Sequence, residues 1–191
     1  MTIITKKPLL PLLLMVVMAL TRFDHFGSAL SLPDASLAVF FLAGMGFGSL
    51  WFFVLLTFEA GIIDYLAITQ FSVSDFCISP AYAFLIPAYA ILWYVGRYCA
   101  QLKTMSFSEQ TIPVMLLALA TSVSFVISNG SFYLLSGRIE NFSWTGFVEQ
   151  FVHYYPPYLA STLCYGLSGL LLARLFKLIP GSGSQTTETT V

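Results

Sequence analysis

The chain has 191 residues, of which 58% are hydrophobic and only 9% charged, and its mean hydropathy is +0.84. A soluble domain carries roughly 25% charged residues, so this is the composition of an integral membrane protein, with one compact bundle and no separate soluble domain. The net charge of −1 and the absence of any basic run longer than Lys6–Lys7 exclude nucleic acid as a partner and leave the lipid bilayer as the surrounding phase.

About 20 apolar residues are needed to cross the hydrocarbon core as a helix, and the chain divides on that basis. Pro8 to Leu20 is a short first span. It follows two lysines like a signal peptide, but no small-x-small site closes it before Arg22 and Asp24, so it reads as retained. Ala35 to Phe71 is too long for one crossing. The charge and glycine of "TFEAG", residues 57–61, predict a turn that leaves a second span of normal length and a short third span, Ile62 to Phe71. Pro80 to about Tyr98 is the fourth, with Ser79 as N-cap and Pro80 at the first helical position. Ile112 to Leu135 is the fifth, with an irregularity expected at "SNG", residues 128–130. Pro157 to Ile179 is the sixth, and the polar stretch 180–191 is expected to be a disordered cytoplasmic tail.

The fold class is thus an all-α membrane protein, six transmembrane helices in one bundle spanning residues 1–179. Lys6, Lys7, Arg97, Lys103, Arg174 and Lys177 fall on one side of this arrangement, against Arg22 and Arg138 on the other. The excess of basic residues on one side makes both termini cytoplasmic. Three connections then face outwards, about 21–35, 72–79 and 136–156. They gather Asp24, His25 and Asp34, then Asp75 and Cys77, then Arg138, Glu140, Trp144, Glu149, His153, Tyr154 and Tyr155.

Cys77 is the one cysteine on that outer side, since Cys99 sits at a cytoplasmic end and Cys164 within the sixth span. No disulfide partner is in reach. Its place before the fourth helix favours the thiolate, Asp75 opposes it, and a thiolate is a soft ligand that selects soft or borderline metals. Tyr82 and Tyr89, from a Pro-Ala-Tyr repeat seven residues apart, lie on one helix face, either as a pocket wall or as part of an aromatic belt. Pro87 between them removes a backbone bond and is expected to kink the helix. Asp64 within the third span requires a polar cavity or a partner inside the bundle. His25 and His153 are open to three readings: ligand, hydrogen-bond donor or interfacial side chain. "GMGFG", residues 44–48, lies inside the second span and permits close helix packing rather than nucleotide binding. No nucleotide-binding loop, C-x-x-C or H-E-x-x-H occurs.

Six spans, polar groups gathered on outward loops, and a cysteine before "ISPAY" give the chain a resemblance to the BtuM-type cobalamin (vitamin B12) transporters of Gram-negative bacteria. These look like solitary relatives of the S-components of energy-coupling-factor (ECF) transporters. The likeness covers about residues 8–179, and its most specific element is Cys77 followed by Tyr82. It implies an S-component-like fold in the bacterial inner membrane that takes up a corrinoid from an outward cavity. Cys77 would be the axial ligand of the cobalt and would promote decyanation of cyanocobalamin. Tyr82, His25, Asp64 and Tyr89 would shape the pocket, and Trp144 and Tyr154 would cover the corrin. The alanines four apart that dock S-components on an energising ECF module are not present in "PLLLMVVMAL", residues 11–20, so a solitary transporter is expected. A rival reading takes His25 and His153 as ligands of a haem in a membrane electron-transfer subunit.

Overall fold

A computed structural model describes residues 9–22, 33–71, 74–75, 78–102, 111–139 and 143–175. They form six helices, α1 (Leu9–Arg22), α2 (Ser36–Phe47), α3 (Leu50–Phe71), α4 (Leu85–Gln101), α5 (Thr111–Leu135) and α6 (Trp144–Leu175), with a 3-10 turn, Pro80–Phe84, leading into α4. There is no strand among the described residues. Four stretches, α3, the turn with α4, α5 and α6, are long and apolar enough to cross a membrane. At 1.5 Å per residue, α1 and α2 are only about 21 and 18 Å long, short of a hydrocarbon core of about 30 Å.

Helix α2 sits at the centre. It is apolar on every side, and ten of its twelve residues are buried, as a helix without a polar face must be. Its tightest neighbour is α4. A side chain on Gly44 would overlap the backbone carbonyl of Trp93, and one on Gly96 would overlap that of Phe41, so two glycines let the helix backbones touch. The sequence reading of "GMGFG" as a packing element is borne out at Gly44. Phe40, Phe41, Leu56, Leu92, Trp93 and Leu117 fill the core around this crossing. On the far side, α6 is notched at Gly169 for Leu42 and at Gly166 for Leu117. Hydroxyls inside the bundle bond back to their own helices, as Thr121 does to the Leu117 carbonyl and Thr162 to that of Tyr158, which satisfies them without water.

Several boundaries differ from the sequence expectation. The turn between the second and third helices is not at 57–61 but at Gly48–Ser49. Gly48 adopts φ +53°, the left-handed conformation that closes a helix and that only glycine takes without strain. Helix α3 runs straight through Gly61, so the long and short partners are exchanged: α2 has 12 residues and α3 has 22. Ser79 makes no side-chain cap, and Pro80 opens a 3-10 turn instead of an α-helix. Pro87 falls in the first turn of α4, where its missing N–H interrupts no interior bond. Helix α5 continues unbroken through residues 128–130.

The sixth helix begins at Trp144 rather than Pro157. Ser143 starts it, its side-chain oxygen accepting from the Gly146 N–H and its carbonyl from the Phe147 N–H. Pro156 and Pro157 are thereby interior to a helix of 32 residues and leave the carbonyls of Val152 and His153 without their usual donors. Trp144, His153, Tyr154 and Tyr155 belong to this helix and not to an outer loop. Arg22, expected in a connection, is the last residue of α1 and is buried.

Candidate functional site: a buried arginine clasp

The two ends of the bundle differ. Arg22, Ser36, Pro80, Leu135 and Trp144 lie at one end, called upper here, and Leu9, Phe47, Gln101, Thr111 and Leu175 at the other. Polar side chains converge inside the upper end. Arg22 closes α1 there and projects towards α3, where Asp64 lies two turns before the helix end. The guanidinium donates from Nε to Asp64 Oδ1 at 2.7 Å and from Nη2 to Asp64 Oδ2 at 2.6 Å, a two-pronged pair in which each residue is only 7% exposed. Its remaining nitrogen, Nη1, donates to the Tyr89 hydroxyl at 2.7 Å and to Ser36 Oγ at 3.1 Å, and approaches Asp34 Oδ2 at 3.5 Å. Asp34 is anchored in turn by the Ser36 N–H at 2.8 Å and hydroxyl at 2.6 Å, both bonding to its Oδ1. Tyr82, in the 3-10 turn, donates its hydroxyl to Asp64 Oδ2 at 2.6 Å.

One cation thus ties together α1, the entry to α2, α3, the turn before α4 and α4 itself. An isolated charge in this medium is strongly disfavoured, and the geometry offsets that penalty by giving each of the three guanidinium nitrogens an acceptor and each oxygen of Asp64 a donor. Tyr89 is held by more than its hydroxyl. Its ring stacks on Phe40 at 4.3 Å with an interplanar angle of 9° and lies beneath Arg22, 5.9 Å from the guanidinium carbon.

The residues expected at a pocket therefore fall into three groups. Asp64, Tyr82 and Tyr89 are brought together, Asp64 by two of its three acceptor contacts with Arg22. Tyr89 is a core residue, 4% exposed, and not part of an interfacial belt. Trp144 and Tyr154 are 72% and 53% exposed on the outer surface of α6, away from the clasp, and His153 is likewise exposed with its ring edge-on to Tyr154. Cys77 and His25 lie outside the described residues. The described residues nearest to Cys77 in the chain, Asp75 and Ile78, are at the upper end: Ile78 donates its N–H to the Asp75 carbonyl at 2.8 Å, and Asp75 approaches Arg138 at 3.8 Å.

Sequence reasoning did not single out Arg22, Ser36 or Asp34 as functional. A signal existed. Arg22 is a cation at the end of an apolar span on the side poor in basic residues, and Asp64 is an anion inside another span, so each needs what the other supplies.

A second polar set joins α5 and α6. The Ser122 and Tyr155 hydroxyls are 2.8 Å apart, and Phe125 is enclosed by Phe151, Tyr155 and Tyr158 with ring centroids 4.9–5.3 Å away. Two apolar spaces border the helices. One, of about 210 Å³, runs along α2 between α1 and α6, from Ala35 to Leu10 and Ala173; the other, of about 590 Å³, is an open groove on the exposed face of α3 beside Thr57, Gly61 and Ile86. No cluster of three or more His, Cys, Asp or Glu side chains able to hold a metal occurs among the described residues. A comparison with protein-family models gives no match for this chain, and neither does a search of curated proteins.

Proposed function

We propose that the protein takes up a corrinoid, cobalamin, across the bacterial inner membrane, as a multi-pass protein of six spans with both termini cytoplasmic. Cys77 is the axial ligand to the substrate's cobalt at the upper end. The observation that carries this reading is the Tyr82–Asp64 bond. It fastens the turn that starts three residues after Cys77 to the buried clasp. A soft donor holding a bulky metal complex needs such a support, because an axial bond is useful only if its direction is fixed. The charge pattern agrees with the orientation. Arg97 and Arg174 sit near the lower end, whereas Arg22 at the upper end is neutralised by Asp64.

The roles follow from placement. Asp64 acts as the anchor of Tyr82, since Arg22 and Tyr82 occupy its oxygens, and Tyr89 acts as the support of Arg22. Thiolate donation to cobalt weakens the opposite axial bond, which is the route to cysteine-mediated decyanation of cyanocobalamin. No nucleotide site or energising module is part of this reading.

The test is vitamin-dependent growth of a bacterium without its own B12 importer, complemented with this chain or with Cys77→Ala, together with the visible spectrum of the purified proteins. Growth and an altered corrinoid spectrum with the wild type, both lost with the variant, are expected. Equal rescue by both would falsify the role of Cys77, and rescue by neither would remove the uptake reading.

A further inference from the structure

Glu59 is the tenth of the 22 residues of α3, about 15 Å from the lower end of a helix long enough to cross the membrane. Moving the preceding turn from 57–61 to Gly48–Ser49 is what places it there. A carboxylate in a turn meets water, whereas one at mid-span does not. The side chain is half-buried, and its Oε2 is shielded from solvent with no hydrogen-bond partner. One turn away on either side are Leu55, Leu56, Ile62 and Ile63, all aliphatic.

The helices packed against α3 offer it no counterion. On α1 the charged group is Arg22, committed to Asp64. Helix α2 carries no titratable side chain. Helix α4 carries Tyr89, bound to Arg22; Tyr94 and Tyr98, both exposed; Cys99; and Arg97, which lies beside Gly48 at the lower end. On α3 itself are Asp64, in the clasp, and the exposed Tyr65. None of the ion pairs among the described residues involves Glu59.

An ionised carboxylate whose shielded oxygen finds no donor is disfavoured in such a place, whereas the neutral acid is tolerated. We infer that Glu59 is a proton-binding site in the middle of the membrane, and that the proton it carries is the ion coupled to uptake. Asp64 cannot serve in this way without releasing Arg22. The coupling rests on the uptake reading; the proton site does not.

Two measurements separate these. Full-length protein in liposomes is treated with dicyclohexylcarbodiimide, an apolar reagent to which a protonated carboxyl gives its proton at nitrogen while its oxygen adds to the central carbon. Mass spectrometry of the α3 peptide then locates the adduct. Modification at Glu59 and not at Asp64, falling as pH rises, lost in Glu59→Gln and kept in Glu59→Asp, is expected. An unmodified wild type, or labelling of Glu59→Gln to the same extent, overturns the proton site.

Cyanocobalamin uptake into the same liposomes is then followed with and without an imposed pH gradient. The gradient should accelerate uptake by the wild type, and Glu59→Gln should lose the acceleration while still retaining bound corrinoid. Uptake by the wild type that ignores the gradient overturns the coupling. A wild type that binds no corrinoid at all removes the uptake reading, and the carbodiimide result still decides the proton site.

Discussion

Removing one side of the Arg22–Asp64 pair leaves the other charge buried. Asp64 accepts three charge-assisted bonds, two from Arg22 and one from Tyr82, each of a kind with a net value of about 1.5–3 kcal/mol. These do not add, because burying the two ions has already consumed much of the gain; breaking a buried pair from one side costs about 3–5 kcal/mol. The two sides differ. In Asp64→Leu the stranded guanidinium still has Asp34 at 3.5 Å, whose side chain is 23% exposed, so the loss falls near the lower figure of about 3 kcal/mol. In Arg22→Met two carboxylates remain with no cation between them, and the loss approaches about 5 kcal/mol.

The double variant Arg22→Met/Asp64→Leu removes both charges and fills the space with apolar atoms. It should lie within about 1–2 kcal/mol of the wild type, since buried pairs are often replaced by hydrophobic residues at little cost. The resulting coupling energy, several kcal/mol, far exceeds the average of about 0.6 kcal/mol for an interhelical hydrogen bond in a membrane protein. Unfolding by a denaturing detergent, followed through the fluorescence of the buried Trp93, measures all four proteins. Additive losses, or single variants within about 0.6 kcal/mol of the wild type, would show that the clasp does not hold the helices together.

Other variants separate clasp, packing and exposure. Tyr82→Phe removes a single bond to a charged acceptor while leaving the ion pair, so it should lower stability by about 1.5–3 kcal/mol at most and weaken corrinoid retention more than global folding, read as a spectral titration beside the unfolding curve. Gly44→Ala should severely reduce the yield of monodisperse protein, because the added carbon meets the Trp93 backbone and backbone cannot yield, whereas Gly61→Ala, with nothing within 4 Å, should be neutral or stabilising by up to about 1 kcal/mol. Phe125→Ala empties the ring cage between α5 and α6 and should cost about 3–5 kcal/mol in the same unfolding assay. In a Cys77→Ser background an apolar maleimide should modify Cys164, which is exposed on α6, and spare the buried Cys99; the reverse order would mean that α4 and α6 pack differently.

Composition and apolar run lengths alone determined that the chain is helical and belongs in a membrane, because a bilayer admits long apolar segments only as structures that satisfy their own backbone. The same runs placed α1, α5 and the entry to α4 to within a turn, and the small residues of "GMGFG" marked a close contact that Gly44 and Gly96 make. Tertiary structure decided the rest. A turn at Gly48 and one at Gly61 look alike in sequence, since both are glycines in an apolar stretch, and only the packing of α2 against α4 on one side and α3 against α1 on the other selects the first. The start of α6 was likewise hidden, because a serine cap at 143 competes with two prolines at 156 and 157, and aromatic contacts with α5 outweigh the lost backbone bonds. Asp64 was legible as a residue in need of a partner. Which partner it takes depends on α1 reaching α3 from 42 residues away, a distance in sequence that no local pattern spans.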